Sequence, residues 1–564
     1  MQAERYSGSR KAVDEWLDTL NSLYVWAFLA LLLVAAAFYS AVYFGNQYGS
    51  DNWGYYYTIV ELRSLQYVAN RPLELIYQAF PLTVFGHHPA TIQAVLVVYK
   101  AIVGFLVFLL VRKLAKGDSL FAFACAAVYM TYHVSDLHLL GPLWMLHRFG
   151  TLAFVLLSCY FYVLYVERGV WWAILLSMGA VIVSILSYEG VFALVAGIPL
   201  LIFAYRRDFS RRTIVGTGLY FSAVIGASMN YVLPFLMGSH TYGTNYGITL
   251  DPLRIIVDLA RQFRFLYADL FHLGPKRFFD YRLPAILTVL AGLGGIAVIR
   301  YKIRTVSVSN NPFSLTGYLI WILASIIVTV FALIPYLVAG MTAQVYRIHY
   351  FTQVGVGMTL VGLIWLLTSV VPNTVVRSTL RWISMGLLMI RGSTLIAESQ
   401  QLDYYAAHTD LDSQSYFMRS LANVVPDTKE HTLIVFYPGE NGPAPFYYGF
   451  GFQYGMAYFY QRHAMGVVYD GSLTYHDWGI VEEGIKISPT PLVTNWVGRV
   501  NEVYKWEEMI VITKDSSGRA VLLEQLPDPL KGLPNAENYN PDARIIKSYI
   551  PPRVQEIFPP ILQP

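Results

Sequence analysis

Leu23-Tyr-Val-Trp-Ala-Phe-Leu-Ala-Leu-Leu-Leu-Val-Ala-Ala-Ala-Phe-Tyr-Ser-Ala-Val-Tyr-Phe44 contains no charged side chain. A helix rises about 1.5 Å per residue, so a run of this length crosses the roughly 30 Å hydrocarbon core of a bilayer. Arg5, Arg10 and Lys11 precede it, as in a secretory leader. The run is too long for a leader, however, and no small-residue cleavage site follows, so it reads as an uncleaved first span. Working outward, further apolar runs follow at about 91–111, 119–135, 150–166, 170–187, 191–205, 214–236, 284–299, 316–340, 350–371 and 380–396. This predicts a polytopic α-helical membrane protein of about eleven spans.

Composition agrees. Of 564 residues, 55% are hydrophobic and 13% are charged, against roughly 25% charged in soluble domains. A net charge of +4 gives no footprint for nucleic acid. Cys125 and Cys159 both sit in apolar runs and read as inert and buried, which excludes a disulfide framework. Tyrosine is abundant, at 43 residues, as suits membrane interfaces.

Short basic loops stay in the cytoplasm. Counted from a cytoplasmic N-terminus, alternate connections carry Arg112 to Lys116, Glu167-Arg168, Arg206 to Arg212, Arg300 to Arg304 and Arg377 to Arg381. The long connections 45–90 and 237–283, and everything after about 398, fall on the other side. Within the second of these, Pro252 to Phe271 spaces its apolar residues as an interfacial amphipathic helix.

The chain therefore divides into a membrane unit over 1–397 and an extracytoplasmic soluble α/β domain over 398–564. Gln401 to Val425 reads as an amphipathic helix and His431 to Tyr437 as a buried strand. Glu508 to Thr513 and Ala520 to Glu524 flank Asp515-Ser-Ser-Gly518, a hairpin signal. The proline-containing tail from Pro527 reads as extended surface chain. The aromatic run Phe446 to Phe452 is too apolar to stay exposed, and either docks on the external loops or packs the domain's own core.

Polar residues at external span ends are where chemistry belongs. Asp51 follows span one directly, in Ser50-Asp51-Asn52-Trp53, placed to act as a general base or simply to cap a loop helix. Asn70-Arg71-Pro72-Leu73-Glu74 lies further along the same loop. Trp144-Met145-Leu146-His147-Arg148, Ser187-Tyr188-Glu189-Gly190 and Gln344 to Tyr350, which contains Arg347, end on the same side. Glu189 in a turn facing water and Arg347 snorkelling to headgroups are the bland alternatives. His133, His147 and His349 match no zinc-ligand spacing. Together Asp51, Arg71, Arg148, Glu189 and Arg347 suit a phosphate-linked substrate, because guanidinium grips phosphate with two parallel hydrogen bonds.

The order of these features resembles the GT-C glycosyltransferases, polytopic enzymes that use polyprenyl-phosphate sugars, including the bacterial members and the transmembrane O-mannosyltransferases. The likeness rests on Asp51 after span one, Arg71-Pro72-Leu73, Phe85-Gly86-His87-His88-Pro89 before span two, Ser187-Tyr188-Glu189, and Tyr346-Arg347 before a late span. The chain departs in having Asp51-Asn52 where many members have two acids, and Tyr188 where they have Lys. The resemblance implies an inverting glycosyltransferase in a bacterial inner or plasma membrane, with the N-terminus cytoplasmic. Asp51 and Glu189 would be catalytic, Asp51 as base. Arg347, Arg148 and Arg71 would hold the donor phosphate. Trp53, Tyr55, Tyr56, Trp144 and His147 would contact sugar or acceptor. The implied partners are membrane lipid, a polyprenyl-phosphate sugar donor and a glycan, lipid or protein acceptor. A divalent metal, Mg or Mn, is the one cofactor the resemblance leaves room for, with Asp51 as its ligand. Two other functions fit the same residues: a non-catalytic GT-C-like subunit or scaffold of a membrane complex, and a transporter of a lipid-linked substrate. The transporter lacks an internal inverted repeat in this sequence.

Overall fold

The structure is a computed structural model and describes residues 23–38, 50–67, 71–87, 89–132, 142–206, 209–236, 251–268, 282–306, 314–339, 349–400, 411–439, 449–469, 476–489, 500–547 and 553. Each apolar run of the sequence coincides with a helix: α1 (Leu23–Phe38), then, after the loop helices α2 (Ser50–Tyr56) and α3 (Ile76–Phe85), α4 (Pro89–Leu114), α5 (Ser119–Thr131), α6 (Pro142–Arg168), α7 (Trp171–Ser187), α8 (Phe192–Arg206) and α9 (Arg211–Leu236). After α10 (Pro252–Phe263) come α11 (Arg282–Val306), α12 (Leu315–Val338), α13 (Gln353–Ser369) and α14 (Thr374–Gln400). By length and composition four segments are long and apolar enough to cross a membrane among the described residues: Thr91–Leu114, Met145–Arg168, Ala285–Arg304 and Leu315–Val338.

The bundle is built by neighbour packing: α6 lies between α4 and α7, α12 lies along α13, α13 also packs on α5, and α11 pairs with α14. Close approach is set by glycine at Gly392 in α14, where an added Cβ would strike the Thr131 carbonyl oxygen at the end of α5. Large outward residues such as Leu175, Leu219, Leu290, Leu323 and Leu367 are exposed, as expected of surfaces that meet lipid.

Several boundaries differ from the sequence reading. The span expected at 150–166 starts at Pro142. Proline is favoured in a first helical turn, and the polar residues His147 and Arg148 are buried against neighbours rather than held outside the helix. The segment expected to be helical to Phe271 is α-helical only to Phe263 and continues as a π-helix, Arg264–Ala268. In α10 the apolar residues Leu253, Ile256 and Val257 point outward, while Asp258 and Gln262 are buried, the arrangement of a helix lying in a membrane interface.

The strands all follow. After α15 (Leu411–Val424) come β1 (Asp427–Thr428), β2 (Thr432–Phe436), α16 (Gly449–Phe459), β3 (Ala464–Val468), β4 (His476–Val481), β5 (Gly484–Pro489), β6 (Glu502–Lys505), β7 (Met509–Lys514), β8 (Ala520–Leu522) and β9 (Ile545–Ile546). The main sheet has the order β3-β2-β7-β8. In it β2 runs parallel to both neighbours, and β7 and β8 form the hairpin legible in the sequence. Every residue of β2 and β3 is buried, as parallel strands require. The tail from Pro527 is not simply extended. It folds into short helical turns, Asp528–Lys531, Ala536–Asn538 and Pro541–Ala543. These cover Trp506, whose indole N–H donates to the Pro534 carbonyl at 2.8 Å.

The strand-bearing segment docks on the first long loop through α16 and α2. Trp53 packs on Phe459 with ring centroids 5.0 Å apart, Tyr56 on Tyr458 at 5.3 Å and Tyr57 on Tyr454 at 5.6 Å. Tyr458 hydroxyl lies 2.7 Å from His87 Nδ1, and Arg553 pairs with Glu61. Of the aromatic run Phe446 to Phe452, positions 446–448 lie outside the described residues, whereas Phe452 is buried against Phe436 of the sheet.

A candidate site at one end of the helix bundle

Four chain segments meet where α6 and α13 begin and α7 and α12 end. The loop before α3 supplies Arg71 and Glu74, α6 supplies His147 and Arg148, the turn after α7 supplies Tyr188 and Glu189, and α12 supplies Tyr336. The turn is set by Tyr188, whose extended backbone stops α7 and whose side chain folds back into the bundle.

Arg71 organises the cluster. Its Nε donates to Glu189 Oε2 at 2.8 Å and its Nη2 to Glu189 Oε1 at 2.6 Å, a two-pronged pair, while Nη1 donates to Glu74 Oε1 at 3.0 Å. Glu74 is nearly sealed at 2% side-chain exposure, whereas Glu189 is 28% exposed and is the open edge of the group. Burial works against charge on Arg71, but the carboxylates of Glu189 and Glu74 outweigh it and hold the guanidinium well above its ordinary pKa. Burial pushes the Glu74 carboxyl up, against the pull of Arg71. Removing one partner of a buried pair of this kind costs about 3–5 kcal/mol, because it strands the other charge.

Tyr188 is the second organiser. The Arg148 guanidinium lies over its ring, 3.6 Å from the centroid, and Arg71 sits at 4.8 Å. Tyr336 donates its hydroxyl hydrogen to Tyr188 Oη at 3.0 Å, and Phe351 stacks on the Tyr188 ring at 5.7 Å. Gly190 is required here, since a Cβ would meet the Tyr188 ring and the Tyr336 hydroxyl. His147 Nε2 lies 3.1 Å from the Ser187 carbonyl oxygen, which only accepts, so Nε2 carries the proton. Its Nδ1 then presents a lone pair with no partner among the described residues.

The structure thus brings together Arg71, His147, Arg148 and Glu189 of the residues singled out in the sequence. Trp53, Tyr55 and Tyr56 are buried, with their rings against Phe459, Tyr67 and Tyr458 respectively. Asp51 lies in the first turn of α2 and Trp144 in the first turn of α6, but their side chains lie outside the described residues, as do Arg347 and His133 entirely. Sequence reasoning missed Glu74, whose i, i+3 spacing from Arg71 was the available signal, and Tyr336, which sits unmarked in an apolar run. It also missed Lys100 of α4, a buried ammonium 3.2 Å from Gln353 Oε1 and 4.2 Å from the Tyr129 ring centroid.

No group of three His, Cys, Asp or Glu side chains is gathered for a metal among the described residues. Glu74 and Glu189, the acids described here, are both engaged by Arg71 and do not offer a cation site. His349, just before α13, makes a 2.5 Å contact from Nε2 to Gln262 Oε1 of α10, tying the interfacial helix to the bundle beside the cluster.

No family model matches the chain, and no curated protein matches it. Among solved structures it is similar to the crystal structure of ArnT from Cupriavidus metallidurans bound to undecaprenyl phosphate, at 12% identity and a TM-score of 0.35, over 81% of this chain and 86% of that one.

Proposed function

We propose that this chain is a membrane glycosyltransferase that moves a sugar from a polyprenyl-phosphate-linked donor to an acceptor on the extracytoplasmic side. The observation that supports this reading is the pairing of two buried arginines, Arg71 and Arg148, around Tyr188 at one end of an apolar helix bundle, with Glu189 as the open edge. Intramembrane and interfacial guanidinium groups are costly and mark anionic ligands. Preorganised arginines stabilise a leaving phosphate because they need no reorientation as charge develops.

In this proposal the acceptor hydroxyl attacks the anomeric carbon and passes its proton to Asp51. The carbon–oxygen bond to phosphate breaks, and the electron pair leaves with the polyprenyl phosphate. Arg148 and Arg347 take that charge, and Glu189 fixes Arg71 beside them. His147 Nδ1 accepts a hydrogen bond from a sugar or acceptor hydroxyl.

A second reading, a non-catalytic subunit, is favoured by a specific observation: Arg71 directs donors to two carboxylates of its own chain, as a purely structural lock would. Purified protein offered polyprenyl-phosphate monosaccharides one at a time separates the two. The enzyme releases free polyprenyl phosphate in the presence of acceptor. Asp51→Asn lowers release by about 10²–10⁴-fold, the usual contribution of a general base, with unchanged melting. Release absent from all donors supports the scaffold, and release equal in both proteins removes Asp51 from the role of base.

A further inference from the structure

At the opposite end of the bundle, a cavity of about 320 Å³ is lined by Arg300 and Arg304 of α11, Arg377 and Arg381 of α14, and the indoles of Trp365 and Trp382. Ile296, Arg300, Ile303 and Arg304 share one face of α11, and Thr374, Arg377, Ser378, Arg381, Trp382 and Met385 share one face of α14. The arginines therefore converge by helical periodicity and are not merely scattered along a basic loop. Phe351 contacts the candidate site and Trp365 lines this cavity, both on or beside α13, so the two sites stand roughly 21 Å apart along that helix.

Three of the arginines are oriented by neutral groups. Arg300 Nη1 donates to Ser378 Oγ at 2.9 Å. Arg381 Nε donates to Thr368 Oγ1 at 2.9 Å and lies 4.7 Å from the Trp365 ring centroid. Arg377 donates to the Val371 and Pro372 carbonyls at 2.9 and 3.3 Å. Arg304 is exposed and makes no hydrogen bond or ion pair among the described residues. No carboxylate pairs with any of the four among the described residues. Asp118, the acid that Arg381 feels electrostatically, is engaged as the N-cap of α5, accepting from the Phe121 amide at 2.9 Å. The N-terminus of α14 adds its partial positive charge.

Four guanidinium groups in one concavity, three of them held in place by neutral partners, repel one another unless an anion sits between them. Leu120, Ile296, Ile303 and Met385 form the apolar part of the cavity wall, so acyl chains would meet apolar surface beside the charges. We propose that this cavity binds the phosphate headgroup of an anionic glycerophospholipid from the leaflet at the basic end of the bundle. Basic pockets between spans at that interface fit such headgroups, and the indoles suit the headgroup depth.

The test is native mass spectrometry of the full-length protein titrated with phosphatidylglycerol or with phosphatidylcholine of identical chains. Phosphatidylglycerol is expected to be retained preferentially. Arg304→Gln, which breaks no described contact, lowers its retention about fivefold, and Arg304→Gln/Arg377→Gln lowers it by about that factor again. Lys302→Gln is the control: it removes the same charge from the same helix, but Lys302 does not line the cavity and sits over Trp26, so retention is unchanged. Equal retention of the two lipids, or equal loss in Lys302→Gln, overturns the proposal. So does displacement of phosphatidylglycerol by glycerol phosphate at matching concentration, which would make this a site for a soluble phosphate ester.

Discussion

Arg71 directs hydrogen bonds to Glu189 and Glu74, and at this scale the site was half legible. Residue type and membrane side marked Arg71, Arg148 and Glu189, because charges at span ends need a reason. The partner choice was not legible: Arg71 and Glu189 are 118 positions apart, and nothing local predicts that α7 ends beside the loop before α3. Tyr336 and Lys100 stayed hidden because each interrupts an apolar run with one polar group. His349 gives a prediction of its own. Burial holds its imidazole down to about 3, against roughly 6.5 in an unfolded chain. Between those values the unfolded chain binds a proton that the folded one does not. The stability His349 contributes is therefore complete above about pH 6.5 and falls as pH drops towards 3. Lowering the pH from 7 to 5 removes up to about 2 kcal/mol through this group. His349→Gln should flatten that acid limb of the melting temperature in detergent, and an unchanged slope would show that other groups set it.

Elements were read more securely than their ends. An apolar run identifies a helix core, since each side chain can face lipid or a neighbour. It does not say where the helix starts when, as in α6, buried His147 and Arg148 extend it back to Pro142. The hairpin of β7 and β8 was legible from its turn residues, whereas the tail was misread, because proline content says nothing about the Trp506 surface it covers. The docking of α16 on α2 has a direct test. Trp53 and Phe459 touch at 5.0 Å between centroids. A double-mutant cycle, Trp53→Ala with Phe459→Ala, should give a coupling of about 0.5–1.5 kcal/mol in unfolding free energy. Additive effects would mean that the two segments do not pack together in solution.

Across the whole molecule an arginine-lined cavity lies at the basic end of the bundle and the Arg71–Glu189 cluster at the other. We propose, from the charge asymmetry of the loops, that the basic end faces the cytoplasm. Reporter fusions at Arg207 and Ser516 should therefore give opposite signals, and equal signals would refute this topology. The convergence of loop, α6, α7 and α12 on one site was not legible in the sequence, since it depends on which helices pack together. The central claim, that the cluster around Tyr188 receives a lipid-linked phosphate, is tested most directly by binding of polyprenyl phosphate to the purified protein, compared with Arg148→Ala. Each buried charge-assisted hydrogen bond is worth about 1.5–3 kcal/mol. Saturable binding that weakens roughly 10- to 100-fold in Arg148→Ala is the predicted result, and equal affinity in the two proteins, or no saturable binding in either, would contradict it.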